Sequence, residues 1–310
     1  MLTRFRPLAA AITLALSFTV AAASNERGID PSNFDTTVAA CTDFYQFANG
    51  QWEQRNPIPA AYSSWGVMNE LSERNFAVLK EILDVAAKAQ AKPGSTQQKI
   101  GDFYASAMDE AAIEQAGFDP LKPDLAAIDA LTDKSDLIAL INRWHAHGLS
   151  VLFGFGKEAD LKQSSMNIAY ATQGGLGLPD RDYYTKDDAD SKALRDLYVA
   201  HVARMLTLIG TDAKQAKADA AAIMALETRL AKASLTQLDL RDPNKSYNLV
   251  EVAAANKATP NFDWNALLAV IGRKDVGTFS FSHPGFFAEM DKALADTPVA
   301  TWRAYLRWHL

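Results

Sequence analysis

There is a single cysteine, Cys41, in 310 residues. One cysteine excludes an internal disulfide framework, and in an exported chain it points to a missing partner or a free thiol. Positive charge is scarce relative to negative: 31 Lys and Arg stand against 37 Asp and Glu, a formal net charge of −6. No basic stripe gathers along the chain, which removes the electrostatic footprint of a nucleic-acid binder. Past the N-terminus no long apolar run occurs, so no later membrane span is expected. Internal repeats of fixed period, low-complexity tracts and Gly/Ser linkers are lacking too.

Catalytic signatures are also missing. A helical zinc protease carries His-Glu-x-x-His, which sets two imidazoles on one face with a general base between them. The five histidines are His145, His147, His201, His283 and His309; none is followed by Glu, and none has a second His four residues on. His145 and His147 are two apart, so on a helix they point about 200° from each other. They read as a helix-end pair near Gly148. There is no Gly-x-Ser-x-Gly elbow, and no histidine lies near Cys41 in sequence. Gly174-Gly175-Leu176-Gly177 lacks the spacing of a phosphate loop and reads as a structural turn rigidified by Pro179. Asp180 with Asp182, and Asp187 with Asp188, sit at loop–helix junctions, where acids serve as caps and solvated faces. Phe44, Phe47 and Trp52 read as core rather than as a ligand platform.

What is present is a globular composition, 48% hydrophobic and 22% charged, enough to bury one sizeable core or two modest ones. The start stands apart. Arg4 and Arg6 form a positive n-region, Leu8 to Val20 is mostly apolar, and Ala21-Ala22-Ala23 is a small-residue cleavage site. Residues 1–23 therefore read as a secretory signal peptide rather than a retained anchor, and the remainder is expected to be exported, periplasmic or secreted, and free of the membrane. Val38-Ala39-Ala40-Cys41 matches a lipoprotein cleavage box, but the polar stretch Asp30 to Asp35 precedes it, so the match is accidental.

Residues 24–60 read as an irregular leading segment. Thr42-Asp43 caps a short helix over Phe44 to Ala48, which Asn49-Gly50 would stop. Asn56-Pro57-Ile58-Pro59 is extended. Residues 61–310 read as a helical lobe. Val67, Leu71, Phe76, Leu79, Leu83 and Ala86 recur at helical spacing, as do Ile100, Phe103, Tyr104, Ala107 and Met108. Pro123 opens a short helix, and Ser135 caps another that ends at Gly148. Helices follow over 188–209, 212–233, 248–257, 263–271 and 284–295. In the 212–233 helix, Ala216, Ala220, Ile223 and Leu230 form the apolar stripe. The last helix begins near Pro298 and carries Trp302, Tyr305, Leu306 and His309, with no stop signal before Leu310. Only Ser150–Phe155 and Met166–Thr172 read as strands, joined by polar residues 156–165. The expected fold is mainly α: a multi-helix lobe with one small β-hairpin or ribbon near 150–172 and an extended N-terminal segment.

Four blocks then fall in a recognisable order. They are Cys41-Thr42-Asp43-Phe44-Tyr45-Gln46-Phe47-Ala48-Asn49-Gly50-Gln51-Trp52, followed by Asn56-Pro57-Ile58-Pro59 and Ser63-Ser64-Trp65-Gly66; Lys99-Ile100-Gly101-Asp102-Phe103-Tyr104-Ala105-Ser106-Ala107-Met108-Asp109-Glu110; Gly175-Leu176-Gly177-Leu178-Pro179-Asp180-Arg181-Asp182-Tyr183-Tyr184; and Trp302-Arg303-Ala304-Tyr305-Leu306. Together they resemble the neprilysin and endothelin-converting-enzyme family of zinc metallopeptidases in its bacterial form, from about Asp30 to the end. The resemblance implies two largely helical lobes around a cavity that admits peptides. Its zinc ligands and general base lie in the second half of family chains, on His-Glu-x-x-His and a downstream Glu-x-x-x-Asp. This sequence then corresponds to the family's N-terminal region, with zinc a cofactor of the parent enzyme and none bound by these residues. No catalytic or metal-ligating residue is assigned in this chain, and its substrate contacts stay open. The lobe is expected to be truncated at its C-terminal end, with its own catalytic lobe and peptide substrates as partners. The resemblance also implies a disulfide from Cys41 to a cysteine near the family's C-terminus. Mammalian neprilysin has a substrate-carboxylate arginine where Ser64 stands, so its dipeptide-releasing preference does not carry over. Two other readings remain at this point: a stand-alone helical peptide- or protein-binding module, and one half of a split enzyme.

Overall fold

A computed structural model describes residues 28–310; the signal-peptide reading of residues 1–23 lies outside them. The described chain is mainly α-helical with one small sheet, and it divides into two compact units, up to Glu110 and from Ala111 on.

The first unit holds α1 (Phe44–Arg55), α2 (Val67–Lys88) and α3 (Thr96–Ala107), after a short 3-10 turn at Pro31–Asn33. Asp43 caps α1 by accepting from the Gln46 amide at 2.9 Å. The helix does not stop at Asn49-Gly50 as the sequence suggested. The Asn49 side chain donates to the Tyr45 carbonyl within the helix, and Gly50 is buried where a Cβ would come 2.9 Å from that of Asp35. Its glycine serves close approach, not a left-handed cap. α2 and α3 form a hairpin whose tightest point is Gly101 against the Ala86 carbonyl. Phe44 is 70% exposed, contrary to its reading as core, while Phe47 and Trp52 are half-buried.

A short α4 (Glu110–Ala116) leads into the second unit. There follow α5 (Lys122–Asp129), α6 (Lys134–Ala146), β1 (Phe153–Ala159), β2 (Asn167–Gln173), α7 (Asp182–Thr185), α8 (Ala189–Leu208) and α9 (Ala213–Ala233). Then come α10 (Gln237–Leu240), α11 (Pro243–Ser246), β3 (Leu249–Glu251), α12 (Val252–Ala258), α13 (Trp264–Val270), β4 (Thr278–Phe281), α14 (Pro284–Asp296) and α15 (Val299–His309). Asp133, not Ser135, caps α6: its carboxylate takes the Asp136 amide at 2.9 Å, and Ser135 falls inside the first turn. β1 begins later and runs further than the sequence suggested. Its Lys157 and Glu158 are tolerated because the strand is an edge, exposed on its outer side.

The hairpin of β1 and β2 belongs to a four-stranded sheet of order β1-β2-β4-β3, in which β4 runs parallel to β2 and antiparallel to β3. Its core face packs an aromatic cluster. Phe281 stacks on Phe287 of α14 at 4.5 Å, and Trp264 of α13 lies 5.0 Å from Phe279 and 5.3 Å from Phe153. Each such buried ring contributes on the order of 2 kcal/mol from area alone. α9 lies across this unit and packs on α7, α8, α14 and α15. Ala216, Ala220, Ile223, Glu227 and Leu230 form its buried stripe at helical spacing.

Candidate functional site

One member of that stripe is charged. Glu227 is 0% exposed, and its carboxylate is the hub of a buried polar cluster. Tyr184 and Tyr198 each donate a hydroxyl to Oε2 at 2.8 Å, and His309 Nε2 meets Oε1 at 2.9 Å. Trp308 donates its indole N–H to the Tyr198 hydroxyl at 2.7 Å. A buried carboxylate needs hydrogen-bond donors in place of water, and three supply them here. Burial and the adjacent Glu227 charge push the Tyr184 and Tyr198 hydroxyls far above the usual phenol range, so both remain donors at any physiological pH.

The cluster clasps the loop between β2 and α7. The Leu178 amide donates to the Tyr184 hydroxyl at 2.7 Å, and the Tyr305 hydroxyl donates to the Gly175 carbonyl at 3.0 Å. Gly175 has φ +73°, and a Cβ there would come 2.7 Å from the Leu152 carbonyl oxygen. At Gly177 a Cβ would lie 2.9 Å from the Trp308 indole nitrogen and closer still to the Tyr198 hydroxyl. Glycine is required at both by what presses on the loop, which agrees with the reading of Gly174–Pro179 as a structural turn. The third and fourth sequence blocks are therefore two sides of one contact. Trp302, Tyr305 and Leu306 of α15 are fully buried beside it.

The other residues singled out by sequence do not converge. His145 Nε2 donates to the Val151 carbonyl at 3.1 Å, and His147 Nδ1 to that of Arg143 at 2.8 Å, as befits a helix-end pair. Burial lowers the His145 and His283 pKa values, so the neutral imidazole is favoured at both. Asp182 lies near Lys186, and its amide donates to Asp180. Asp188 caps α8, accepting the Ser191 amide at 2.9 Å and hydroxyl at 2.7 Å, bonds that hold its carboxyl below the usual range. Asp187 is exposed and lies 3.8 Å from Lys192. Cys41 is an exposed free thiol.

Among the described residues, no group of three or more His, Cys, Asp or Glu is placed to hold a metal ion. His145 and His147 each bond a backbone carbonyl through one ring nitrogen, and His309 bonds Glu227. No described helix is long and apolar enough to cross a membrane. Sequence reading missed Glu227, although the gap in the stripe between Ile223 and Leu230 falls on it.

The other large feature is an apolar face in the first unit. Leu71, Val78, Ile82 and Val85 follow one another at helical spacing on α2, and all are exposed; Phe103 of α3 is 78% exposed. So long an unpartnered stripe marks an interaction surface rather than scattered surface residues.

Comparison with known proteins gives these features a context. The sequence model described as peptidase family M13 matches residues 40–310. An endothelin-converting enzyme homolog of Locusta migratoria is 31% identical over 250 residues, covering 77% of this chain and 34% of its own length. Endothelin-converting enzyme 1 of Bos taurus is 29% identical over 250 residues, covering 77% and 32%. The crystal structure of the zinc metalloprotease Zmp1 of Mycobacterium tuberculosis, in complex with an inhibitor, superposes with a TM-score of 0.84 at 31% identity, over 91% of this chain and 43% of that one. PepO of Lactobacillus rhamnosis shares the fold, with a TM-score of 0.70 at 19% identity. The chain spans about a third of the length of the curated relatives it matches.

Proposed function

Because this chain belongs to peptidase family M13, we propose that its residues form the N-terminal, substrate-enclosing helical region of an exported zinc metalloendopeptidase that cleaves peptides. The zinc ligands and the general base belong to sequence outside these 310 residues, and no step of hydrolysis is assigned to a side chain of this chain. When bound in the whole enzyme, zinc polarises the scissile carbonyl and activates water. The residues described here act earlier, by walling the cavity and admitting chains of limited size. Cys41, exposed and unpaired, is available for a disulfide to that further sequence.

The observation that carries this reading is the apolar stripe of α2. Leu71, Val78, Ile82 and Val85 form a surface suited to cover by further polypeptide of the same enzyme. The second unit, with its clasped loop and filled core, supplies a rigid wall.

The test is reconstitution. After dialysis the 310-residue chain alone is expected to retain far less than one equivalent of zinc and to cleave no peptide. Co-folded with a zinc-binding M13 catalytic half, it should restore hydrolysis that a chelator abolishes. Stoichiometric zinc in the chain alone, with chelator-sensitive cleavage, overturns the proposal.

A further inference from the structure

The core face of the sheet runs out into an open cleft at one end of the second unit. On that face β1 presents Phe153 and Phe155, and β4 presents Phe279 and Phe281, but β2 between them offers only Ala169 and Ala171. Trp264 fills the space over Phe155 and Phe279, at 6.1 and 5.0 Å. One turn further along α13 the rings stop. Leu268 and Ile271 face Ala169 across a cavity of about 540 Å³. That is the size of a site for an amino-acid side chain with its backbone.

The polar groups at this cleft are unequal. Arg273 is neutralised by a two-pronged pair with Asp275, both contacts at 2.9 Å. Lys157 has no such partner among the described residues, although two-residue alternation places it on the same face as Phe155. Opposite it stands Ala169, and Glu158 points to the other face. The cleft therefore keeps one uncompensated positive charge. His145 lines it too. Its Nε2 carries the proton donated to the Val151 carbonyl, so Nδ1 is left as an acceptor. Asn167 adds an amide with no hydrogen bond of its own among the described residues.

From this arrangement we infer that the cleft binds the C-terminal residue of a peptide: an apolar side chain against Phe155, Leu268 and Ile271, its carboxylate on Lys157, and its amide N–H toward His145. The inference rests on the peptidase reading for the ligand's source. The chemistry itself is that of any acylated amino-acid carboxylate.

Ligand-observed NMR on the 310-residue chain tests it, with N-acetyl-phenylalanine and its C-terminal amide as probes. The acid is expected to bind in the millimolar range and the amide about tenfold more weakly, because only the acid can pair with an ammonium. Lys157→Gln should erase that preference, and Lys157→Arg should keep it. Equal affinity for acid and amide, or a preference that survives Lys157→Gln, overturns the inference and leaves the reconstitution result untouched. A chain that binds the acid as expected yet never restores hydrolysis sinks the peptidase reading alone.

Discussion

α2 and α9 carry the same kind of pattern and meet opposite fates. On α9, Ala216, Ala220, Ile223 and Leu230 repeat at helical spacing and are buried. On α2, Leu71, Val78, Ile82 and Val85 repeat just as regularly and are exposed. Up to Glu110, Ala86 is the one buried apolar residue among those described, whereas Trp264, Trp302 and Tyr305 are fully enclosed in the unit that follows. A hydrophobic period states which face of a helix gains by burial; it does not state what covers that face. The second unit supplies its own cover. On the first, the α2 stripe is exposed.

The largest test of this contrast is at two glycines with the same backbone sign. Gly175 has φ +73° and no room for a Cβ, while Gly94 has φ +80° and nothing within 4 Å. Gly175→Val is expected to cost about 4 kcal/mol or more, from strain added to a clash with backbone. Gly94→Val carries the strain alone, about 1–2 kcal/mol. Denaturant unfolding followed by tryptophan fluorescence separates them. Equal costs would mean that the clasped loop is no tighter than a surface turn.

Next in size is Glu227. Its replacement by Ala leaves two tyrosine hydroxyls and His309 without their shared acceptor in a buried site. About 3 kcal/mol of stability should be lost, the usual cost of stripping one partner from a buried charged cluster. Limited proteolysis should then open the loop at 174–184 first. A loss below about 1 kcal/mol would show that the cluster is solvated rather than structural.

A smaller effect comes from pH. All five histidines lie in the second unit, and burial depresses the pKa of His145 and His283 in the folded chain. Below an unfolded value of about 6.5 the unfolded chain then binds more protons than the native one. Stability from these two groups is complete above that pH and falls as pH drops toward their folded values. Each contributes a slope of at most about 1.4 kcal/mol per pH unit. Thermal melts between pH 7.5 and 5 should show the decline, and His145→Gln should make it shallower. A slope unchanged in that variant would place the effect elsewhere.

Much of this was legible beforehand. The helices over 188–209 and 212–233, the Pro123 start and the Gly148 stop are set by local capping and period, and the structure places them within a residue or two. What could not be read depends on partners distant in sequence. β4 is a short buried strand whose only mark is Phe279 and Phe281, and it earns strand pairing from β2, more than a hundred residues earlier. Gly50 resembles a helix stop until Asp35 is seen packed on it. Glu227 resembles a solvent-facing acid until Tyr184, Tyr198 and His309 close around it. The four sequence blocks pointed to the right family without disclosing that two of them touch.

The gentlest perturbation bears most directly on why the two units differ. Val78 and Phe103 are exposed, so Val78→Lys combined with Phe103→Glu should change the unfolding free energy by no more than about 0.5 kcal/mol per site. Substitutions of equal severity at Ile223 or Leu230, which are fully buried, should prevent folding. If the α2 face is a surface awaiting cover, the isolated chain associates through it. The double variant should then sediment as a smaller species at the same concentration and ionic strength. It should also fail to restore hydrolysis with a catalytic half, despite its undiminished stability. A variant that melts as the parent does, associates as the parent does and still reconstitutes activity would make the exposed stripe an ordinary surface, and the difference between α2 and α9 would lose its functional meaning.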